Sequence, residues 1–218
     1  MNRNITLLIV AIFALLTACD NAKQLTKIEN SLQQIDTTKA IKIGNYWATP
    51  KSSFEFHSLQ NTLGDTLSIV TCSEYVYYPF GSIKEKTEFQ SSLLKNFSVA
   101  NRIDNLDIGE IEFNLLKLKA SKLIFFFDKN PEASEYSGLF KGEIYDKEVQ
   151  FVNDVRIGMS KEEFCKIFFD NFSSDLLIKY KYIVLESCVQ DMKHTYSFKD
   201  NKLYSVNFIT DSYWSVNY

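Results

Sequence analysis

Histidine, proline and glycine are scarce in this 218-residue chain, at two, three and seven residues, and each shortage closes a class of function. His57 and His194 form no H-E-x-x-H motif, and no Gly-rich phosphate loop or nucleophile elbow occurs. Metalloprotease, nucleotide-binding and α/β-hydrolase chemistry therefore lack their usual residues, and no cofactor motif is present. Scarce Gly and Pro beside 18 Phe and 12 Tyr also exclude a disordered or collagen-like stalk. Basic residues are not in excess, with 24 Lys and Arg against 27 Asp and Glu, which argues against nucleic acid as a partner. His194 follows Cys188 by six residues with Asp191 between. On one unbroken strand that spacing is about 20 Å, too far for a shared metal ion. A Cys–His pair meeting in space stays open but has no third group to orient it.

Long apolar runs are missing too, apart from one at the start, MNRNITLLIVAIFALLTACDN. A positive residue, a short apolar core and small residues before a cut are the marks of a secretory signal rather than a membrane span. Its ending, Leu16-Thr17-Ala18-Cys19, resembles a bacterial lipobox. That resemblance implies cleavage after residue 18 and diacylglycerol on Cys19, so the lipid bilayer is itself a partner. Two or three acyl chains on one residue anchor stably where one chain does not. The processed chain would hold 200 residues with 23 basic against 27 acidic side chains, a formal charge of −4.

Residues 19–46 read as a tether with a short helix, in which Leu25, Ile28, Leu32 and Ile35 form a narrow stripe. From Trp47 to Gly81 the pattern is β, with DTLSIVTCSEYVYYPFG rich in Val, Ile and aromatics. KEKTEFQSSLLKNFS then places Phe89, Leu93 and Phe97 at helical spacing, with Thr87 and Gln90 fitting a capping box. Two β runs, EIEFNLLKLKA and SKLIFFFD, follow, and SGLFKGEIYD adds another. In VRIGMSKEEFCKIFFDNFS a second helix starts, with Ser160 as N-cap and Glu163 at N3. Beyond it, YKYIVLESCVQ and HTYSFKDNKLYSVNF read as strands, with Asp200-Asn201 as a hairpin turn.

These two programmes match residue by residue. At an offset of 75, Lys86, Glu88, Phe89, Asn96, Phe97 and Ser98 meet identical residues at 161, 163, 164, 171, 172 and 173. At an offset of 80, Lys119, Lys122 and Leu123 meet Lys199, Lys202 and Leu203. The expected class is α+β: two tandem helix-plus-antiparallel-sheet units, 47–147 and 148–218, behind a signal peptide at 1–18 and the tether.

IGMSKEEF, a helix and a three-strand meander behind a lipobox together resemble the small outer-membrane assembly lipoproteins of the BamE/SmpA type, over residues 155–209. The doubling resembles the β-lactamase inhibitory protein fold, in which two such units share one curved sheet. Phe-Asp-Asn-Phe stands where the BamE-type family has Leu-Gly-x-Pro. The resemblance implies protein binding at the cell envelope without catalysis, with the outer membrane favoured and the domain facing the periplasm or the cell surface.

Of the three remaining cysteines, buried free thiols are the commoner outcome, and Cys165 with Cys188 is the pair to expect if a disulfide forms, since a helix packs over its own sheet. LIFFF puts Leu123, Phe125 and Phe127 on one face and Ile124 and Phe126 on the other. Both faces need cover, from the N-terminal β segment or from a partner. The candidate interaction surface is Phe125, Phe126, Phe127, Tyr204, Phe208 and Trp214. The expected function is a membrane-anchored, non-enzymatic module that binds an envelope protein. The alternative is a small apolar-ligand carrier or an envelope enzyme, using a cavity between the units.

Overall fold

Strand formation dominates the chain, because alternating Val, Ile, Leu and aromatic residues recur in nearly every segment between turns. A computed structural model describes residues 39–60, 64–106, 109–128, 138–189 and 191–210, all within one compact unit. The signal peptide, Cys19, the stripe from Leu25 to Ile35 and Trp214 lie outside the described residues.

The strands are β1 (Ile41–Ile43), β2 (Tyr46–Pro50), β3 (Phe56–Leu59), β4 (Thr66–Thr71), β5 (Ser98–Leu106), β6 (Gly109–Leu118), β7 (Ser121–Phe126), β8 (Gly138–Ile144), β9 (Phe169–Phe172), β10 (Tyr182–Ser187), β11 (Met192–Lys199) and β12 (Lys202–Thr210). The helices are α1 (Glu74–Tyr77), α2 (Lys161–Phe168), α3 (Ser174–Lys179) and a 3-10 turn at Lys86–Ser91. Nine strands form one sheet in the order β3-β4-β10-β11-β12-β8-β7-β6-β5, and β1-β2-β9 form a second. Within the large sheet β4 and β10 run parallel and the other neighbours antiparallel. Among the described residues no helix is long and apolar enough to cross a membrane.

This corrects the α+β expectation of two tandem helix-plus-antiparallel-sheet units. Strand accounts for 49% of the described residues and helix for 15%, and the large sheet is mixed. Two local reasons stand out. The expected helix at KEKTEFQSSLLKNFS stops after its 3-10 turn, because Ser91 Oγ donates to the Glu88 carbonyl and Ser92 Oγ to the Phe89 carbonyl. Such side-chain bonds compete with the helical ladder. Thr87 makes no capping box with Gln90; its hydroxyl donates to Glu85 instead. The expected strand through Tyr77 also ends early: Thr71 and Ser73 hydroxyls bond each other and the Glu55 backbone, and the chain turns into α1.

Among the described residues only α2 has its predicted start. Glu163 N donates to Ser160 Oγ at 3.1 Å and Ser160 N to Glu163 Oε2 at 2.7 Å, a full capping box. Lys161, almost wholly buried, donates from Nζ to the Leu177 and Tyr180 carbonyls at 2.7 Å, tying the end of α3 to the start of α2. At the β11–β12 hairpin Asp200 and Asn201 both take positive φ, 50° and 61°, as a type I′ turn requires.

One face of the large sheet carries the main core. Under α2, Phe164 packs on Tyr196 and Phe198 with ring centroids 4.7 and 5.3 Å apart. Under the 3-10 turn, Phe89 packs on Phe125 at 5.2 Å and Phe127 at 5.7 Å. Each fully buried ring contributes about 1.5–3 kcal/mol of transfer free energy. The opposite face holds a smaller cluster of Ile111, Phe113 and Ile124, with Leu115, Phe126 and Phe140 against it. The LIFFF alternation is thus as read, but its second face packs within its own meander, while β1 to β4 join the other half of the molecule.

Candidate binding surface

The face of the sheet turned away from the main core changes character between β7 and β10. On β10, Ile183 and Leu185 point into the core, so Tyr182, Val184 and Glu186 point outward. On β11, Tyr196 and Phe198 point inward, which leaves Thr195 and Ser197 outward. The register sets Tyr182 opposite Ser197, Ser197 opposite Ser205, and Thr195 opposite Asn207. Between Ser197 and Phe198 the register shifts, because Leu203 pairs with Phe198 while Ser205 pairs with Ser197. The extra residue is Tyr204, and a bulge of this kind re-aims a side chain out of the sheet. Tyr204 is 56% exposed.

Beside it, Ile144 at the end of β8 is in the core and Tyr145 turns outward, its ring 6.0 Å from that of Tyr204 and edge-on to it. Partial burial raises the Tyr145 hydroxyl above its ordinary pKa, and the neighbouring Glu143 carboxylate adds to the shift. The phenol therefore stays protonated, with the Glu143 carboxylate as a hydrogen-bond acceptor beside it. Tyr145, Tyr204 and Tyr182, all exposed, lie just past the end of β8, on β12 and on β10, with Ser197, Ser205, Thr195 and Asn207 between. At one strand spacing per step the patch is about 14 Å across. Tyr145 and Tyr182 escaped the sequence reading, although strand alternation from Ile144 and Ile183 was enough to turn both outward.

The proposed surface of Phe125, Phe126, Phe127, Tyr204, Phe208 and Trp214 is not assembled. Phe125 and Phe208 are core residues, Phe127 packs against the core, and Phe126 belongs to the smaller cluster on the other face. Only Tyr204 is both described and exposed.

The Cys165–Cys188 bridge is corrected as well. Cys188 bonds to Cys72, with Cα atoms 5.1 Å apart, and Cys165 is a buried free thiol. The parallel register places Thr71 beside Ser187, so the next residues, Cys72 and Cys188, emerge side by side at the end of the sheet. Cys165 instead faces the core from α2, where burial pushes its thiol up to about 12 and makes thiolate chemistry unfavourable. Cys188 and His194 sit on opposite sides of the β10–β11 turn. His194 is fully buried, its Nδ1 3.2 Å from the Tyr196 hydroxyl and its ring edge-on to Phe208. Burial pushes its pKa down to about 3, so it is neutral at physiological pH.

A cleft of about 880 Å³ opens between the 3-10 turn and the loops before it and after β8. Its lining is largely polar, including Ser82, Glu88, Lys95, Asn96, Glu148 and Gln150, and does not include His194 or Cys188. No family model, curated protein or solved structure matches the chain.

Proposed function

We propose that the chain is an exported, lipid-anchored envelope protein whose folded unit binds another protein through the tyrosine patch on its sheet. The observation that carries this reading is the exposure of Tyr145, Tyr204 and Tyr182 on one face of the sheet among small hydroxyl and amide side chains. Tyrosine offers a large, stiff ring at low entropic cost, and Ser, Thr and Asn adapt their hydrogen bonds to the partner. The mixture is that of a recognition surface rather than of an active site. The polar, open cleft gives an apolar ligand little to bury against, and the buried neutral His194 has no route to a substrate.

The envelope assignment draws support from the lipobox at Leu16–Cys19 and from the Cys72–Cys188 bridge, since such bonds persist in oxidising compartments. The BamE/SmpA-type resemblance of IGMSKEEF points the same way, toward the outer membrane. The test is crosslinking in intact cells of tagged full-length chain and of a Tyr145→Ala/Tyr182→Ala/Tyr204→Ala variant. One partner held by the native chain and lost from a variant of equal abundance is the expected result. A partner retained by the variant sinks the tyrosine patch. A parallel Cys19→Ala strain separates anchoring from binding, and its chain leaves the membrane fraction if Cys19 carries lipid.

A further inference from the structure

Strand β5 ends the nine-stranded sheet among the described residues, and its sequence is nearly symmetric about one residue. It pairs with β6 over nine consecutive positions, Ser98 with Lys117 through Leu106 with Gly109, without a bulge. Edge strands in natural proteins are usually shortened, bulged, or guarded by Lys or Pro. This one carries no Lys and no Pro of its own, although Lys86 Nζ donates to Asn101 Oδ1 at 2.7 Å, and it presents Ile103, 63% exposed, near its middle. Around Ile103 the chain reads Asn101-Arg102-Ile103-Asp104-Asn105. Reversed, the stretch exchanges Asn for Asn and Arg for Asp.

We propose that β5 pairs with β5 of a second copy of this chain, antiparallel about a two-fold axis at Ile103. In that register Ile103 faces Ile103 and the Asn101 and Asn105 amides face each other. Arg102 of each copy lies opposite Asp104 of the other. Directly opposed residues in antiparallel strands share a face, so each cation meets a carboxylate twice over. Within one chain Arg102 Nε already donates to Asp104 Oδ1 at 2.6 Å, and pairing extends that ion pair into a four-charge cluster. Shifting the register by two residues puts Asp104 opposite Asp104 or Arg102 opposite Arg102, so charge selects the two-fold at 103. A closed two-fold contact of this kind uses one surface on both subunits and cannot propagate into a fibre. The tyrosine patch lies strands away on each copy and stays available, so the dimer presents it twice.

The test uses full-length chain in its own membranes, with Ile103→Cys and, separately, Ala100→Cys, resolved on non-reducing gels under mild oxidant. Position 103 lies against itself across the axis, whereas 100 is displaced from its counterpart by six residues, about 20 Å. The expected result is a covalent dimer from Ile103→Cys at least about tenfold more abundant than from Ala100→Cys. Placed in the Ile103→Cys background, Asp104→Arg should lose the dimer, and the swap Arg102→Asp/Asp104→Arg should restore it. Equal yields at 100 and 103, no dimer from a folded Ile103→Cys chain, or a swap that fails to restore it would each overturn the proposal.

Discussion

Leu93–Ser98 and Phe168–Ser173 read LLKNFS and FFDNFS, yet they fold differently. The first is a turn that delivers the chain into β5. The second begins with the last residue of α2, becomes strand β9, and ends as the N-cap of α3. What differs is the neighbourhood. Ala48 of β2 pairs with Phe172 and Thr49 with Asn171, so the second stretch has a strand to bond, whereas the first lies beside serines that stop its helix. Upstream, the capping box of α2 sets a helix axis that the 3-10 turn lacks. Near-identical words take their structure from the partner each can reach, as tertiary context overrides local preference.

The comparison can be broken most severely at the disulfide, which ties the end of β4 to the end of β10, on the second stretch's side of the sheet. Opening the 116-residue separation with Cys72→Ser should cost about 4–5 kcal/mol in urea unfolding. Acid attacks the same region through His194. Unfolded, this group takes its proton near pH 6.5; folded, it does so only near 3. Between those values the unfolded state holds the extra proton. Its contribution to stability is therefore intact above pH 6.5 and falls by about 1.4 kcal/mol per pH unit on acidification toward 3. His194→Phe should flatten that slope between pH 6.5 and 5, where carboxylates contribute little.

Where the two meanders join, a Cβ on Gly142 would sit 2.4 Å from Leu123 Cδ2 and 3.0 Å from Phe208 Cδ2. Gly142→Ala should cost about 1–3 kcal/mol by overpacking, read from the shift in denaturant midpoint. The smallest effect sharpens the contrast most. Ser160→Ala should cost about 1 kcal/mol, while Thr87→Ala, at the expected cap of the first helix, should change stability by less than about 0.5 kcal/mol. Equal costs would mean that the first region does form a capped helix.

Much of this fold was legible locally and little of it globally. The capping box at Ser160, the turn at Asp200-Asn201 and the two faces of LIFFF all follow from short-range patterns. Parallel pairing of β4 with β10 does not, because it joins segments more than a hundred residues apart, and the disulfide partner of Cys188 depends on it. Counting aromatics pointed to Phe125 and Phe208, which alternation buries; Tyr182 and Tyr145 needed the strand ends, and Tyr204 the bulge.

The most direct test of the tyrosine patch is a photo-crosslinking residue in the full-length chain, placed at Tyr204 and, as control, at Ile178. Ile178 is 79% exposed on α3, outside the patch. A discrete protein adduct at 204 and none at 178 is the predicted result. Adducts of equal yield at both positions, or none at 204 in a folded, membrane-bound chain, would contradict it.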